Sequence, residues 1–132
     1  MKRFYREAKA VSALDHPNII RIFDFGVDET TKVPFIAMEY LEGVSLKALL
    51  RIEGTLSEER STRILASVAQ ALTAAHQNGI IHRDLKPENI YVRRLTDGRE
   101  HVKVLDFGIA KVTSTGHDTT ESLTAAGVAV GT

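Results

Sequence analysis

Two clusters of polar residues sit where a globular chain would prefer bland ones. The first, His82-Arg83-Asp84-Leu85-Lys86-Pro87-Glu88-Asn89, lies between the short apolar runs Ile80-Ile81 and Ile90 to Val92. The second, Asp106-Phe107-Gly108, directly follows the apolar run Val102 to Leu105. Each run reads as a buried strand that delivers a carboxylate at its end, where a rigid scaffold can aim it. Pro87 stiffens the loop between Asp84 and Asn89. Two carboxylates (Asp84 and Asp106), one amide oxygen (Asn89) and one ammonium (Lys86) converging there suit an oxygen-ligated divalent ion with its phosphates. Magnesium is the natural candidate, because it prefers hard oxygen ligands and takes only one or two of them from protein. Zinc is disfavoured. His76 and His82 have no third ligand, and the chain has no cysteine.

The elements that must hold these clusters can be read from the hydrophobic pattern. Residues 2–13 place Phe4, Ala8, Val11 and Tyr5 at helical spacing, and Asp15-His16-Pro17-Asn18 ends that helix. Residues 19–27 alternate as a half-buried strand, residues 28–32 turn, and residues 34–40 return as a second strand, which predicts a hairpin. A short helix over residues 46–52 is stopped by Gly54. Ser57 opens the longest periodic segment, with Glu58 and Glu59 at its positive end. Ile64, Leu65, Val68, Ala71, Leu72 and Ala75 form its apolar stripe. Thr96-Asp97-Gly98 predicts a turn joining the last two strands. Residues 112–132 are rich in Ser and Thr and contain no Lys or Arg, a loop by composition.

Composition narrows the function classes. In 132 residues, 17 Lys plus Arg balance 17 Asp plus Glu. A binder of nucleic acid that works through a basic face needs a surplus of cations, so that class is disfavoured. A chain of this length makes one domain and buries roughly two-thirds of its unfolded surface. No apolar run reaches membrane-spanning length, and the basic start MKRFYREAKA has no apolar stretch behind it. The expected location is the cytoplasm.

HRDLKPEN followed by DFG resembles the catalytic-loop and metal-loop pair of eukaryotic-type protein kinases, in wording closest to bacterial Ser/Thr kinases. REAKAVSALDHPNII is similar to that family's C helix and the strand after it, IAMEYLEG to its hinge, and DFGIAK onward to its activation segment. The resemblance implies an α+β, bilobal protein-kinase-like fold represented in part. Residues 1–40 would come from the N-lobe. Residues 41–111 would supply the hinge, C-lobe helices and catalytic and metal loops, and residues 112–132 the activation segment. It also implies ATP and Mg²⁺ as cofactors, a protein substrate that the sequence does not reveal, and transfer of the γ-phosphate to Ser or Thr.

Carried over position by position, Asp84 would take the proton of the attacking hydroxyl. Lys86 would neutralise the transferring phosphoryl group, and Asn89 and Asp106 would hold magnesium. Glu7 would pair with an ATP-positioning lysine. The backbones of Glu39 and Leu41 would bind the adenine edge, with Met38 as gatekeeper and Tyr91 beneath the ring. Val11, Ile22, His82 and Phe107 would stack between the lobes. Arg83 and Lys111 would receive a phosphothreonine, with Thr124 the expected site, Thr120 and Ser122 the alternates, and Thr132 reserved for the catalytic loop. The family's glycine-rich phosphate loop and its strand lysine have no counterpart among these residues, so these residues by themselves are expected to be inactive. Two other readings compete: a non-catalytic binding module, and a small-molecule phosphotransferase. Lys86-Pro87-Glu88 and Asp106-Phe107-Gly108 make the last distant.

Overall fold

A computed structural model describes the backbone of residues 2–107 and the side chains of residues 5–107. In chain order the elements are helix α1 (Lys2–Ser12), strands β1 (Ile22–Val27), β2 (Pro34–Met38) and β3 (Val44–Ser45), and helices α2 (Leu46–Glu53) and α3 (Glu58–Gln77). A single 3₁₀ turn (Pro87–Asn89) and strands β4 (Ile90–Arg94) and β5 (Glu100–Val104) follow.

The starts of α2 and α3 are capped as their sequences require. Ser57 Oγ accepts the Arg60 amide at 3.2 Å, and Ser45 Oγ accepts the Ala48 amide at 3.1 Å. At its far end α3 closes with Gly79 N–H to His76 O and Ile80 N–H to Ala75 O, the paired bonds that a left-handed glycine permits. Ile80 is thereby spent on the helix cap and Ile81 is exposed, so the strand expected there does not form. The α3 stripe is also narrower than its sequence pattern. Ile64, Val68, Ala71 and Ala75 are buried, whereas Leu65 is 59% exposed.

Strands β1 and β2 form the expected antiparallel hairpin, with Phe25 opposite Ile36. Asp28 organises the turn by accepting the Thr30 and Thr31 amides. A bulge between Ile22 and Asp24 interrupts the alternation and leaves Phe23 exposed. The strand is shorter than its apolar pattern suggests, because Ile19 and Ile20 pair elsewhere. Ile19 bridges Val104 in parallel, and Ile20 N–H donates to Val104 O at 3.1 Å.

The second sheet has the order β3-β4-β5, all antiparallel. β3 was not visible as a strand in the sequence, where Glu42-Gly43 reads as a break. Val92, Val102 and Val104 on one face of the sheet join Ile64, Val68, Ala8 and Val11 in one core. Burying aliphatic side chains of this size contributes roughly 1.5–3 kcal/mol each. Arg60, at the start of α3, adds a polar clamp. Its Nε donates to Glu100 at 3.0 Å on β5, and its Nη1 reaches Glu53 at the end of α2.

Gly43 makes the closest approach in this sheet. Its φ is 119°, and a Cβ there would lie 2.5 Å from Val92 O. Gly43→Ala is therefore expected to destabilise the fold by about 2 kcal/mol or more, since both the backbone conformation and the space are wrong. Gly79→Ala, at φ 71° with open space around it, should cost only about 1 kcal/mol. Urea denaturation of the two variants checks the difference, and equal midpoints would refute it.

Candidate functional site

The site is assembled around the backbone of one residue. Leu105 follows β5 and precedes Asp106. Its N–H donates to Asn89 O at 2.8 Å, and its carbonyl faces His82 Nε2 at 2.6 Å. His82 Nδ1 accepts the Asp84 amide at 3.2 Å, so the proton sits on Nε2, which donates to Leu105. The imidazole is thereby held neutral. It is buried and packs on the Phe107 ring, with centroids 4.7 Å apart. Burial depresses its pKa, against the opposing pull of the Leu105 carbonyl and of Asp84. His82 is structural, a strut between the two loops.

Asn89 is fully buried. Its Nδ2 donates to Asp84 O at 2.9 Å, which closes the loop from Asp84 to Asn89 on itself. Among the described residues its Oδ1 has no hydrogen-bond partner, and neither does Asp106 Oδ2. Each such buried orphan acceptor costs roughly 1–3 kcal/mol. Burial pushes the Asp106 carboxyl pKa up; Lys86 offsets part of that and Asp84 adds to it. Asp106 also stands at φ 58° and Arg83 at φ 65°, conformations that residues with a side chain rarely adopt. At the open edge Lys86 Nζ lies 3.5 Å from Asp84 Oδ2, with both side chains about one-third exposed. The structure thus brings together Asp84, Lys86, Asn89 and Asp106.

Two orphaned hard oxygens beside a carboxylate fit a divalent cation. Among the described residues no group of three or more His, Cys, Asp or Glu forms a closed metal cage. A cation that keeps most of its ligands for water and phosphate matches that donor set.

The remaining expected site residues lie farther out. Glu7 projects from α1 to the 82–89 loop, where its carboxylate lies 3.7 Å from Arg83 Nη1. Arg83 is thus one partner of Glu7, whose expected partner from the sequence is an ATP-positioning lysine. Val11, Ile22 and Phe107 share one core cluster, with His82 against Phe107. Glu39, Leu41 and Tyr91 line a cleft with Arg93, His101 and Lys103. Met38, expected at its wall, is not one of the lining residues; it ends β2 and is 36% exposed. Lys103 is the functional neighbour that sequence reasoning missed. The alternation Val102, Lys103, Val104 already placed it on the face opposite the core. Gly108, Lys111, Thr120, Ser122, Thr124 and Thr132 lie outside the described residues.

A two-stranded sheet under a helix, joined through a short connector to a helical layer that carries two polar loops, defines the fold. The protein-family comparison agrees: the family described as "Protein kinase domain" matches residues 1–129. The chain belongs to this family. It is 52% identical over 130 residues to the Serine/threonine-protein kinase pkn3 of Myxococcus xanthus, covering 98% of this chain and 23% of that protein. It is 42% identical to the Serine/threonine-protein kinase PknB of Mycobacterium tuberculosis, covering 96% of this chain and 20% of that protein. Among solved structures it resembles the Mycobacterium tuberculosis PknI kinase domain (C20A_R136N double mutant), with a TM-score of 0.74 and 32% identity, over 83% of this chain and 43% of that one. The crystal structure of Rad53 1-466 in complex with AMP-PNP gives a TM-score of 0.73 and 32% identity, over 83% of this chain and 29% of that one. The chain thus spans about a fifth of the length of these curated relatives. No helix among the described residues is long and apolar enough to cross a membrane.

A pH dependence follows from His82. Its neutral form is favoured in the fold, while the unfolded chain takes up a proton below about pH 6.5. The stability it contributes is complete above that pH and is lost as the pH falls. The lowered carboxyl groups of Glu39 and Glu88 lose their stabilisation only at lower pH, near and below the ordinary carboxylate range. Urea midpoints measured from pH 7.5 to 5.5 should fall more steeply for the parent protein than for His82→Gln. Parallel curves would show that His82 is not held neutral.

Proposed function

We propose that the protein carrying this chain is a serine/threonine kinase that moves the γ-phosphate of ATP onto a hydroxyl of a protein substrate. The observation that carries this reading is the pair of buried, unpartnered oxygens of Asn89 and Asp106 beside the Asp84–Lys86 ion pair. Asn89 and Asp106 would hold Mg²⁺, which when bound supplies charge neutralisation for the phosphate oxygens. Asp84, anchored through its amide to His82, orients the acceptor hydroxyl and takes its proton. The hydroxyl oxygen forms the new bond to phosphorus, and the bond to the bridging oxygen of ADP breaks. Lys86, 3.5 Å from Asp84, is placed to offset negative charge on the group in transit.

The adenine edge would meet the backbone of Glu39 and Leu41, with Tyr91 below it and Met38 behind. The solved complex of Rad53 with AMP-PNP supports an adenine nucleotide as ligand. Serine/threonine selectivity is supported by Lys86 two residues after Asp84, and by relatives that are serine/threonine kinases by name. Use of ATP would put this part of the protein in the cytoplasm. Glu7 would serve the nucleotide by exchanging Arg83 for a lysine donated from the N-lobe.

In the full-length protein, Asp84→Asn should reduce phosphotransfer by at least ~10²–10⁴-fold, the worth of a positioned general base. Nucleotide affinity should stay within about threefold, because Asp84 does not lie in the cleft at Glu39 and Leu41. Radiolabelled transfer to a generic protein substrate, with calorimetry of ATP binding, measures both. Turnover at the parent rate would remove Asp84 from its role.

A further inference from the structure

The cleft that would take adenine is pinned by a side chain of its own rim. Glu39 directly follows β2, in the connector between the two sheets. Its N–H donates to Arg21 O at 2.9 Å. Its carboxylate accepts the Arg21 N–H at 2.8 Å and Lys103 Nζ at 2.5 Å. Lys103 Nζ also reaches Ile19 O at 3.4 Å. Both charged side chains are three-quarters or more buried. Burial works against the Glu39 carboxylate, yet Lys103 and the Arg21 amide outweigh it and hold the carboxyl below its ordinary pKa.

The segment that Glu39 grips is itself sewn to β5. Asn18 Nδ2 donates to Val102 O at 2.8 Å, Val104 N–H donates to Asn18 O at 2.8 Å, and His101 Nε2 lies 2.9 Å from Pro17 O. Residues 17–21, β5 and the connector are therefore tied together by hydrogen bonds, and β5 leads within two residues to Asp106. Lys103 and Glu39 join all three through their side chains: Lys103 comes from β5, bonds Glu39 and reaches Ile19, and Glu39 comes from the connector and bonds Arg21 and Lys103.

We infer that Lys103 is a positioning residue for nucleotide: through the Glu39 carboxylate it fixes the connector backbone at residues 39–41 in the conformation that receives the adenine edge. The nucleotide part of this inference rests on the kinase reading above; the pinning does not. A preformed edge binds without first having to order itself, so loss of the pin lowers affinity without touching the reacting atoms.

The test uses the full-length protein with Lys103→Met, which keeps the length of the side chain and removes its charge, and Lys103→Arg, which keeps the charge. Three quantities are read: amide exchange at Arg21 and Glu39, adenosine affinity by calorimetry, and the split between KM for ATP and kcat. In Lys103→Met, exchange at both amides should quicken at least about tenfold. Adenosine affinity should fall about five- to tenfold, as expected for loss of one charge-assisted hydrogen bond. KM for ATP should rise by the same factor while kcat stays within about twofold, and Lys103→Arg should restore most of each change. Unchanged exchange at Arg21 and Glu39 would overturn the pin itself. Quickened exchange with unchanged adenosine affinity, or a changed kcat at constant KM, would overturn its role in receiving adenine. A parent protein that binds adenosine but transfers no phosphate would instead overturn the kinase reading, with the exchange and affinity arms still deciding this one.

Discussion

The peptide unit at Leu105 is the constraint on which the site depends. Its amide is held by the backbone of Asn89 and its carbonyl by the ring of His82. The two ends of the 82–89 loop are thus fastened to the one residue that lies between β5 and Asp106. Two carboxylates 22 positions apart in sequence, Asp84 and Asp106, are brought into one place by backbone hydrogen bonds, with no direct bond between the carboxylates. This suits their chemistry. The holding is done by peptide groups, a neutral histidine and the Asn89 amide nitrogen, which leaves Asn89 Oδ1 and Asp106 Oδ2 for ligand.

The cost of that arrangement is visible in the same atoms. Asn89 Oδ1 and Asp106 Oδ2 are buried without partners, and Asp106 and Arg83 adopt left-handed backbone conformations. Residues chosen for stability would have avoided each of these. The deficit is offset by ordinary packing around it: the valines of β4 and β5 against the buried stripe of α3, and the Arg60 clamp from α3 to Glu100. The packed sheet carries the strained loops at its end. A cation supplied by ligand would satisfy the two oxygens that the protein leaves open.

Much of this was legible in the sequence, for identifiable reasons. Local signals carried over well. Ser57 with Glu58 and Glu59 marked the start of α3, Gly54 the end of α2, and Asp97-Gly98 the turn between β4 and β5. The paired motifs were specific enough to name Asp84, Lys86, Asn89 and Asp106, which the structure brings together. Long-range choices were not legible. Ile19 and Ile20 fit the alternation of β1 but pair with β5, because Asn18 spends its side chain on Val102. Ile80-Ile81 has strand composition, yet Ile80 is taken by the helix cap. β3 is two residues long and exists only because Gly43 lets the backbone approach Val92. Nothing in the local sequence singles out Lys103, since its partner Glu39 lies 64 residues away.

The central claim is that the oxygens of Asn89 and Asp106 are left unpartnered in order to hold a divalent cation with a nucleotide. The most direct measurement is a calorimetric titration of the full-length protein with ADP, in the presence and absence of Mg²⁺, for the parent and for Asp106→Asn. If the claim holds, Mg²⁺ strengthens ADP binding at least about tenfold in the parent, the scale of a single lost charge contact of roughly 1.4 kcal/mol. In Asp106→Asn that strengthening disappears while metal-free affinity is retained. An equal dependence on Mg²⁺ in both proteins would contradict it.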